Sequence, residues 1–261
     1  MNTPRTIDLN SDMGESLNAL NDGTEEQLMK LVTSANIACG YHAGDDRTME
    51  ESVRLAIKYD VGIGAHPGYP DRKNFGRISM KLSASEITDL VTKQITAFGK
   101  FVRANGGQIV HLKPHGALYS DAARDRAVAQ AVAEGARAWN KDLILVGLAG
   151  SVMLDVWKDM GFTVAAEAFA DRRYEPDGTL RSRKFNDALI TDPDRAAEQA
   201  LGIVRRGVVE TSSQSEIALA AETICVHSDT PGAVAIAGTL KKRFDQEGIL
   251  FRSLEERFST E

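Results

Sequence analysis

Five short polar stretches hold most of the residues that could do chemistry, and each follows a short apolar run. They are residues 8–15, 36–45, 66–71, 113–119 and 227–230, and they include four of the five histidines. Histidines transfer protons near neutral pH, carboxylates act as bases or metal ligands, and lysine stabilises negative charge. These side chains are those that a hydrolase uses. Within single stretches, His42 with Asp45 and His227 with Asp229 could form pairs.

Several common catalytic signatures do not occur in the sequence. There is no Gly-x-Ser-x-Gly elbow, no His-Glu-x-x-His, no Walker phosphate loop and no Rossmann glycine fingerprint. Nucleophilic serine catalysis, a zincin site and dinucleotide binding are therefore disfavoured.

A metal site and a metal-free site are both compatible with these stretches. The residue types suit zinc or a similar divalent ion, but their spacing fits no closed structural zinc pattern. The alternative is a network of hydrogen-bonded side chains without a metal. If a metal is bound, the candidate ligands are Asp8, Asp12, His42, His66 and His115.

Composition limits the classes of partner. The chain has 261 residues and a formal charge of −6, which disfavours nucleic-acid binding because that requires a clustered basic face. No apolar run approaches the length of a membrane span, and the N-terminus lacks signal-peptide features. We expect a cytoplasmic, single-domain protein with no membrane contact. Cys39 and Cys225 end predicted buried strands, which favours reduced core thiols over reactive or ligating ones.

Strands and helices alternate along the whole chain. Strands are predicted at 6–9, 35–39, 61–65, 108–112, 143–148, 163–166 and 223–226, with a short final strand at 249–251 and a hairpin within 208–221. Helices are predicted from Thr24, over 47–59, after a Ser83/Glu86 capping box, from Tyr119 to about Trp139, over 151–159 and 193–206, and after Pro231 as an N1 residue. Residues 10–15 are predicted as a polar loop. Residues 66–79 are a long loop that could close over a site.

This alternation indicates an α/β fold with parallel strands. Polar residues follow nearly every strand and do not cluster at one topological switch point. This distribution favours a closed, irregular β/α barrel over an open sheet. All strand C-termini would then meet at one face, and the polar stretches would converge there. His111 precedes one stretch and is predicted to be a packed structural histidine.

Seven longer motifs resemble the LamB/YcsF family, in the same order and across nearly the whole chain. They are residues 8–15, 36–45, 64–71, 75–77, 113–119, 167–174 and 224–227. Ser228 is a departure, since glycine is expected before the Asp229-Thr230-Pro231 run.

The resemblance implies a seven-stranded β/α barrel similar to the glycoside hydrolase/deacetylase fold. It also implies ATP-dependent opening of the lactam of 5-oxoproline to L-glutamate, carried out with partner subunits B and C, with ATP used by the complex together with Mg²⁺. ATP is needed because a lactam is a stabilised amide, and phosphorylation of its oxygen creates a better electrophile. Which subunit binds ATP, whether the barrel holds a divalent metal, and whether the chain forms a homo-oligomer are left open.

Roles for individual residues follow from where the motifs lie. The candidate catalytic residues are Asp12, His42, Asp45, Lys113, His115, Glu167 and His227. The candidate substrate-binding residues are Asn10, Asn36, His66, Arg77, Tyr119, Arg172, Arg181 and Asp229. Two alternatives remain, a metal-dependent deacetylase acting on a carbohydrate or amide and a non-catalytic subunit that binds a ligand for its partners.

Overall fold

A computed structural model describes residues 5–259 of the chain. Seven parallel strands close into a barrel, because the seventh pairs with both the sixth and the first. The described strands are β1 (Thr6–Met13), β2 (Ser34–Ala38), β3 (Gly62–His66), β4 (His111–Leu112), β5 (Ile144–Leu148), β6 (Val164–Phe169), β7 (Val208–Glu210), β8 (Glu216–Ala218), β9 (Thr223–Cys225) and β10 (Leu250–Phe251). The barrel order is β1-β2-β3-β4-β5-β6-β9. The predicted fold and strand count are confirmed.

Helices cover the outside of the barrel. They are α1 (Leu17–Asn21), α2 (Thr24–Met29), α3 (Asp46–Lys58), α4 (Ala84–Ala104), α5 (Gly116–Ala122), α6 (Arg126–Trp139), α7 (Val152–Asp159), α8 (Pro193–Arg206), α9 (Ala233–Gln246) and α10 (Leu254–Phe258). The Ser83/Glu86 capping box at the start of α4 is confirmed. No helix in the described part of the chain is long and apolar enough to cross a membrane.

Two short pairings outside the barrel also match the predictions. β7 and β8 form an antiparallel hairpin, and β10 pairs in parallel with the beginning of β1. The hairpin follows α8, which ends at Gly207 in a left-handed conformation.

Several predicted boundaries are wrong. β4 begins at His111 rather than at residue 108, and β6 continues to Phe169 rather than ending at residue 166. Residues 10–13 are not a loop but continue β1, because they pair with β2 in register from Asn10↔Ser34 to Met13↔Ile37. The helix predicted from Tyr119 to Trp139 is two helices, the second of which begins at the N-cap residue Asp125. Pro231 is not the first residue of α9, since Gly232 is the N-cap.

The barrel interior is polar near the C-terminal ends of its strands, whereas the apolar core lies between strands and helices. Asn10, Asn36 and His111 are all buried inside the barrel. The ring of His111 requires a glycine opposite it, since a Cβ on Gly64 would lie 2.0 Å from His111 Nε2. His111 Nε2 lies 2.8 Å from Oδ1 of Asn36, so the structure gives this histidine an internal hydrogen bond.

Candidate active site

Lys113 lies at the centre of the polar interior, directly after β4. Its Nζ atom is 2.7 Å from Oε1 of Glu167 and 3.0 Å from Oδ1 of Asp12. Asn36 donates hydrogen bonds to the same Asp12 oxygen at 2.9 Å and to Asn10 at 2.8 Å. Strand pairing fixes this arrangement, because β1, β2 and β6 carry four of these side chains and Lys113 directly follows β4.

Charges around Lys113 stabilise its protonated form. Burial alone would lower the pKa of Lys113, but Asp12, Cys225 and Glu167 outweigh it and raise that pKa well above its usual value. Burial would likewise raise the pKa of Asp12, yet interactions with His66 and Lys113 hold it well below its usual value. An ammonium group and an ionised Asp12 therefore face each other at the bottom of the site.

His227, which follows β9, is oriented by a buried carboxylate. Its Nδ1 lies 3.0 Å from both oxygens of Asp171, and its backbone N–H donates to the same carboxylate at 3.1 Å. Thr230 donates another hydrogen bond to Asp171. Burial opposes ionisation of Asp171, but His227 and these hydrogen bonds lower its pKa below the usual value. Phe169 stacks on the imidazole with ring centroids 5.1 Å apart, so the ring is held from two directions.

Three histidines and a glutamate cluster at the ends of β1 to β4. His115 Nδ1 lies 3.0 Å from His66 Nε2 and 3.3 Å from Glu15 Oε1. His42 Nε2 is 3.5 Å from the same Glu15 oxygen. Burial is the main cause that lowers the pKa of His115 to about 3 and that of His42 well below its usual value. Burial and the nearby Asp12 raise the pKa of Glu15. This group could hold a metal ion.

Arginines surround the opening of the site. Arg77 and Arg183 both form ion pairs with Asp229. Burial alone would raise the pKa of Asp229, but Arg183, His227 and Arg77 outweigh this effect and lower that pKa to about 2. Arg172 is 8% exposed, and its Nε is buried without a hydrogen-bond partner among residues 5–259. A buried guanidinium with a free donor can accept an anion.

Lys113, His227 and the arginines at the opening line a cavity of about 620 Å³. Its basic lining residues are Arg77, Lys113, Arg124, Arg172, Arg183 and Lys184, and its acidic ones are Asp12 and Asp121. The cavity is therefore basic, although the whole chain has a charge of −6. We expect it to attract anionic small molecules. A second cavity of about 430 Å³ shares Tyr119, Ser120, Arg124 and Leu180 with it.

Many residues predicted from the sequence meet here. The cavity is lined by Asp12, His66, Arg77, Lys113, His115, Tyr119, Arg172 and His227. Glu167 lies behind this lining and accepts a hydrogen bond from Tyr119 at 2.7 Å. Asn10 and Asn36 support Asp12 from inside the barrel, and His42 lies behind His115, stacked against it with centroids 3.8 Å apart. Asp229 pairs with the arginines at the opening.

Three predicted residues lie elsewhere. Asp45 is exposed and caps α3, where its carboxylate accepts from the Thr48 backbone N–H at 2.9 Å. Arg181 is held by Glu175 and Asp187, each at 2.8 Å.

Asp8, predicted as a metal ligand, does not belong to the histidine cluster. It lies towards the N-terminal end of the barrel and accepts hydrogen bonds from Thr33, Ser34 and Thr223. Those three hydroxyl donors occupy the oxygens that a metal would need.

Several site residues were not among the candidates, including Glu15, Asp171, Arg183 and Lys184. Glu15 and Asp171 each lie in a polar motif after a predicted strand, so position alone could have found them. Arg183 and Lys184 belong to the arginine-rich loop after β6, where nothing in the sequence separates them from Arg181.

Both cysteines are free and buried. Cys39 has its pKa raised to about 12 by burial, as a core thiol does. Cys225 Sγ lies 3.3 Å from Lys113 Nζ, so it packs directly beneath the site.

Known proteins resemble this chain along almost its full length. The sequence profile of the LamB/YcsF family matches residues 7–259. A protein of Methylococcus capsulatus, named as the A subunit of 5-oxoprolinase, is 51% identical over 245 residues, which cover 94% of each chain.

Solved structures resemble the fold as well. The crystal structure of a lactam utilization protein from Thermus thermophilus is 41% identical, covers 95% of this chain and 100% of its own, and superposes with a TM-score of 0.88. A family 4 carbohydrate esterase from Streptomyces lividans is 12% identical, covers 97% of this chain and 94% of its own, and has a TM-score of 0.51. The second similarity concerns the fold alone.

Proposed function

This chain belongs to the LamB/YcsF family, and we propose that it is the A subunit of an ATP-dependent 5-oxoprolinase. In this proposal the chain works with subunits B and C, the complex uses ATP with Mg²⁺, and the basic cavity is where the lactam of 5-oxoproline is opened to L-glutamate. The relatives' names support the substrate and the subunit role. The observation that carries the site assignment is the meeting of Lys113, Asp12 and the Asp171-oriented His227 beneath a basic opening.

The charge of the cavity suits the substrate. 5-Oxoproline carries one carboxylate, and activation by ATP adds a phosphoryl group to the lactam oxygen. The cavity of about 620 Å³ is larger than a single five-membered ring requires and has room for the phosphoryl group. Arg172 and Arg183 supply guanidinium donors for the carboxylate or the phosphate.

The proposed reaction assigns a task to each central group. Water attacks the activated carbonyl carbon, and the carbon–nitrogen bond breaks to give an acyl phosphate with a free amine. A second water hydrolyses this acyl phosphate, which releases phosphate and completes the carboxylate of L-glutamate. His227, fixed through Nδ1 by Asp171, transfers the proton between the water and the departing ring nitrogen. The ammonium group of Lys113 stabilises negative charge that develops on oxygen. Asp12 and Glu167 keep that ammonium group charged and in place.

The test is glutamate release from 5-oxoproline by this chain alone and mixed with subunits B and C, with and without ATP. Assembly is verified by size-exclusion chromatography. Release only from the complete mixture with ATP is expected. If an assembled complex with ATP releases no glutamate, the proposal is wrong. Hydrolysis of acetylated sugars by the chain alone would instead favour a deacetylase.

A further inference from the structure

The hydrogen bonds of His66 and His115 fix where each ring carries its lone pair. His66 Nδ1 lies 2.7 Å from the carbonyl oxygen of Lys113, and His115 Nε2 lies 2.9 Å from that of Phe75. A carbonyl oxygen only accepts, so both of these nitrogens carry hydrogen. The neutral rings then have lone pairs on His66 Nε2 and His115 Nδ1, and these two atoms face each other at 3.0 Å.

A carboxylate oxygen of Glu15 also lies close to these two nitrogen atoms. Glu15 Oε1 is 3.3 Å from His115 Nδ1, and the Glu15 side chain is only 7% exposed. Two lone pairs and a carboxylate repel one another unless a cation lies between them. Ligating histidines usually donate their other N–H to a backbone carbonyl, as both rings do here.

Three atoms of the cluster lack hydrogen bonds. Glu15 Oε1 and both ring nitrogens of His42 are buried without such a partner among the described residues. Unsatisfied buried polar atoms are costly and require an explanation. Close packing holds the cluster together, since Gly76 has a φ of +62° and a Cβ there would lie 2.8 Å from His42 Cβ.

From these contacts we propose that Glu15, His66 and His115 bind a divalent transition-metal ion of the zinc class, with His42 as a fourth donor. Nitrogen and oxygen ligands about 2.0 to 2.1 Å from a tetrahedral zinc ion lie about 3.3 to 3.4 Å from one another. The separations here are 3.0, 3.3 and 3.5 Å. His42 now stacks parallel to His115, with an interplanar angle of 3°, so its ring turns when it ligates.

The donor set also indicates which metals bind. Imidazole nitrogens favour Zn²⁺, Co²⁺, Ni²⁺ or Fe²⁺, whereas Mg²⁺ and Ca²⁺ prefer oxygen ligands. The site adjoins the proposed catalytic groups, because His66 Nε2 is 3.4 Å from Asp12 Oδ2. The proposal does not rest on the proposed function, since metal binding is measured without subunits B and C, substrate or ATP.

A second donor group provides a built-in comparison. Asp12, Cys225 and His227 could also hold an ion, but their side chains are already bound, Cys225 and Asp12 to Lys113 and His227 to Asp171. A metal there would have a thiolate ligand, whereas the Glu15 site would not. Co²⁺ distinguishes them, since thiolate ligation adds a charge-transfer band in the near ultraviolet.

The experiment uses the full chain, stripped of metal by chelator and dialysis, and titrates it with Zn²⁺ by calorimetry and with Co²⁺ by absorption. One equivalent of each is expected, with Co²⁺ ligand-field bands but no thiolate band and no competition from Mg²⁺. Glu15→Gln and His115→Gln should weaken Zn²⁺ binding at least about 100-fold, while His227→Gln and Glu26→Gln should leave it unchanged. Circular dichroism verifies that each variant folds.

Three results would overturn the metal site. One is a folded wild-type chain that takes up no Zn²⁺ or Co²⁺, because a proton shared by His66 and His115 then serves as the cation. Another is a thiolate band, or loss of binding only in His227→Gln, because either result would show that the ion binds at Asp12, Cys225 and His227 instead. The third is full affinity in folded Glu15→Gln and His115→Gln.

Discussion

The Nζ atom of Lys113 lies 2.7 Å from Oε1 of Glu167, and the two side chains are only 3% and 0% exposed. The same ammonium group is 3.0 Å from Asp12. One buried cation therefore balances two buried carboxylates. Removing one partner of such an arrangement leaves uncompensated charge, which costs far more than loss of a surface ion pair.

Replacement of Lys113 should strongly destabilise the fold. We expect Lys113→Met to lower the free energy of unfolding by about 3 to 5 kcal/mol at neutral pH. Part of this loss should be recovered as the pH falls, because Asp12 is buried and no longer held ionised by Lys113, so it takes up a proton in the folded variant. Chemical denaturation at two pH values measures both effects. Lys58→Met, which breaks an exposed pair with Glu26, is the control and should change little; equal losses in both variants would contradict this account.

Asp171 should act by positioning His227. Asp171→Asn is expected to lower kcat of the assembled enzyme about 100-fold or more, because the imidazole loses the carboxylate that orients it and stabilises its charged form. KM should change much less. Asp187→Asn, at an exposed pair with Arg181, is the matched control. A variant with unchanged kcat, or one whose loss follows from incomplete assembly alone, would argue against the positioning role.

Arg183 and Arg181 should differ in their effects on substrate binding. Arg183 lines the cavity, whereas Arg181 is held by Glu175 and Asp187. Arg183→Gln should raise KM for 5-oxoproline about 10-fold or more, as loss of a charge-assisted hydrogen bond does. Arg181→Gln should leave KM nearly unchanged. Steady-state kinetics of the complex measures KM for both variants. A larger rise in KM for Arg181→Gln than for Arg183→Gln would show that Arg181, and not Arg183, binds the substrate.

Asp8 should make stability depend on pH. Burial raises its pKa from 3.8 to about 6, so the folded state holds this proton more tightly than the unfolded state. The stability linked to this group is present below about pH 4 and lost as the pH rises through about 6, a change of about 3 kcal/mol. Asp8→Asn removes that dependence, so its stability relative to the wild type should increase from about pH 4 to about pH 7. A difference that does not vary with pH would refute the linkage.

Local patterns were sufficient to predict the barrel. Most of the barrel strands are apolar runs followed by glycines and polar residues, and the Ser83/Glu86 capping box is a contiguous signal. β1 was predicted too short because Asn10 and Asp12 are polar. Inside this barrel they are paired with Asn36 and Lys113, and only the three-dimensional register provides those partners.

The site was predicted in part for the same reason. The polar stretches after the strands identify residues such as Lys113 and His227, because parallel strands bring their C-terminal ends to one face. These stretches do not show which of their polar residues points into the barrel. Asp45 follows His42 closely but caps α3, and Arg181 is neutralised by partners within its own loop. The position of Asp171 after β6 marks it as a candidate, but its contact with His227 forms only because β6 and β9 lie side by side.

The role of this cavity in opening the lactam is tested by comparing wild type and His227→Gln in complexes with subunits B and C. ATP-dependent glutamate release from 5-oxoproline is measured after assembly of each complex has been verified. We expect release by the wild-type complex and at least about a 100-fold lower rate for the assembled variant. An assembled His227→Gln complex with the wild-type rate would contradict the claim that this cavity opens the lactam.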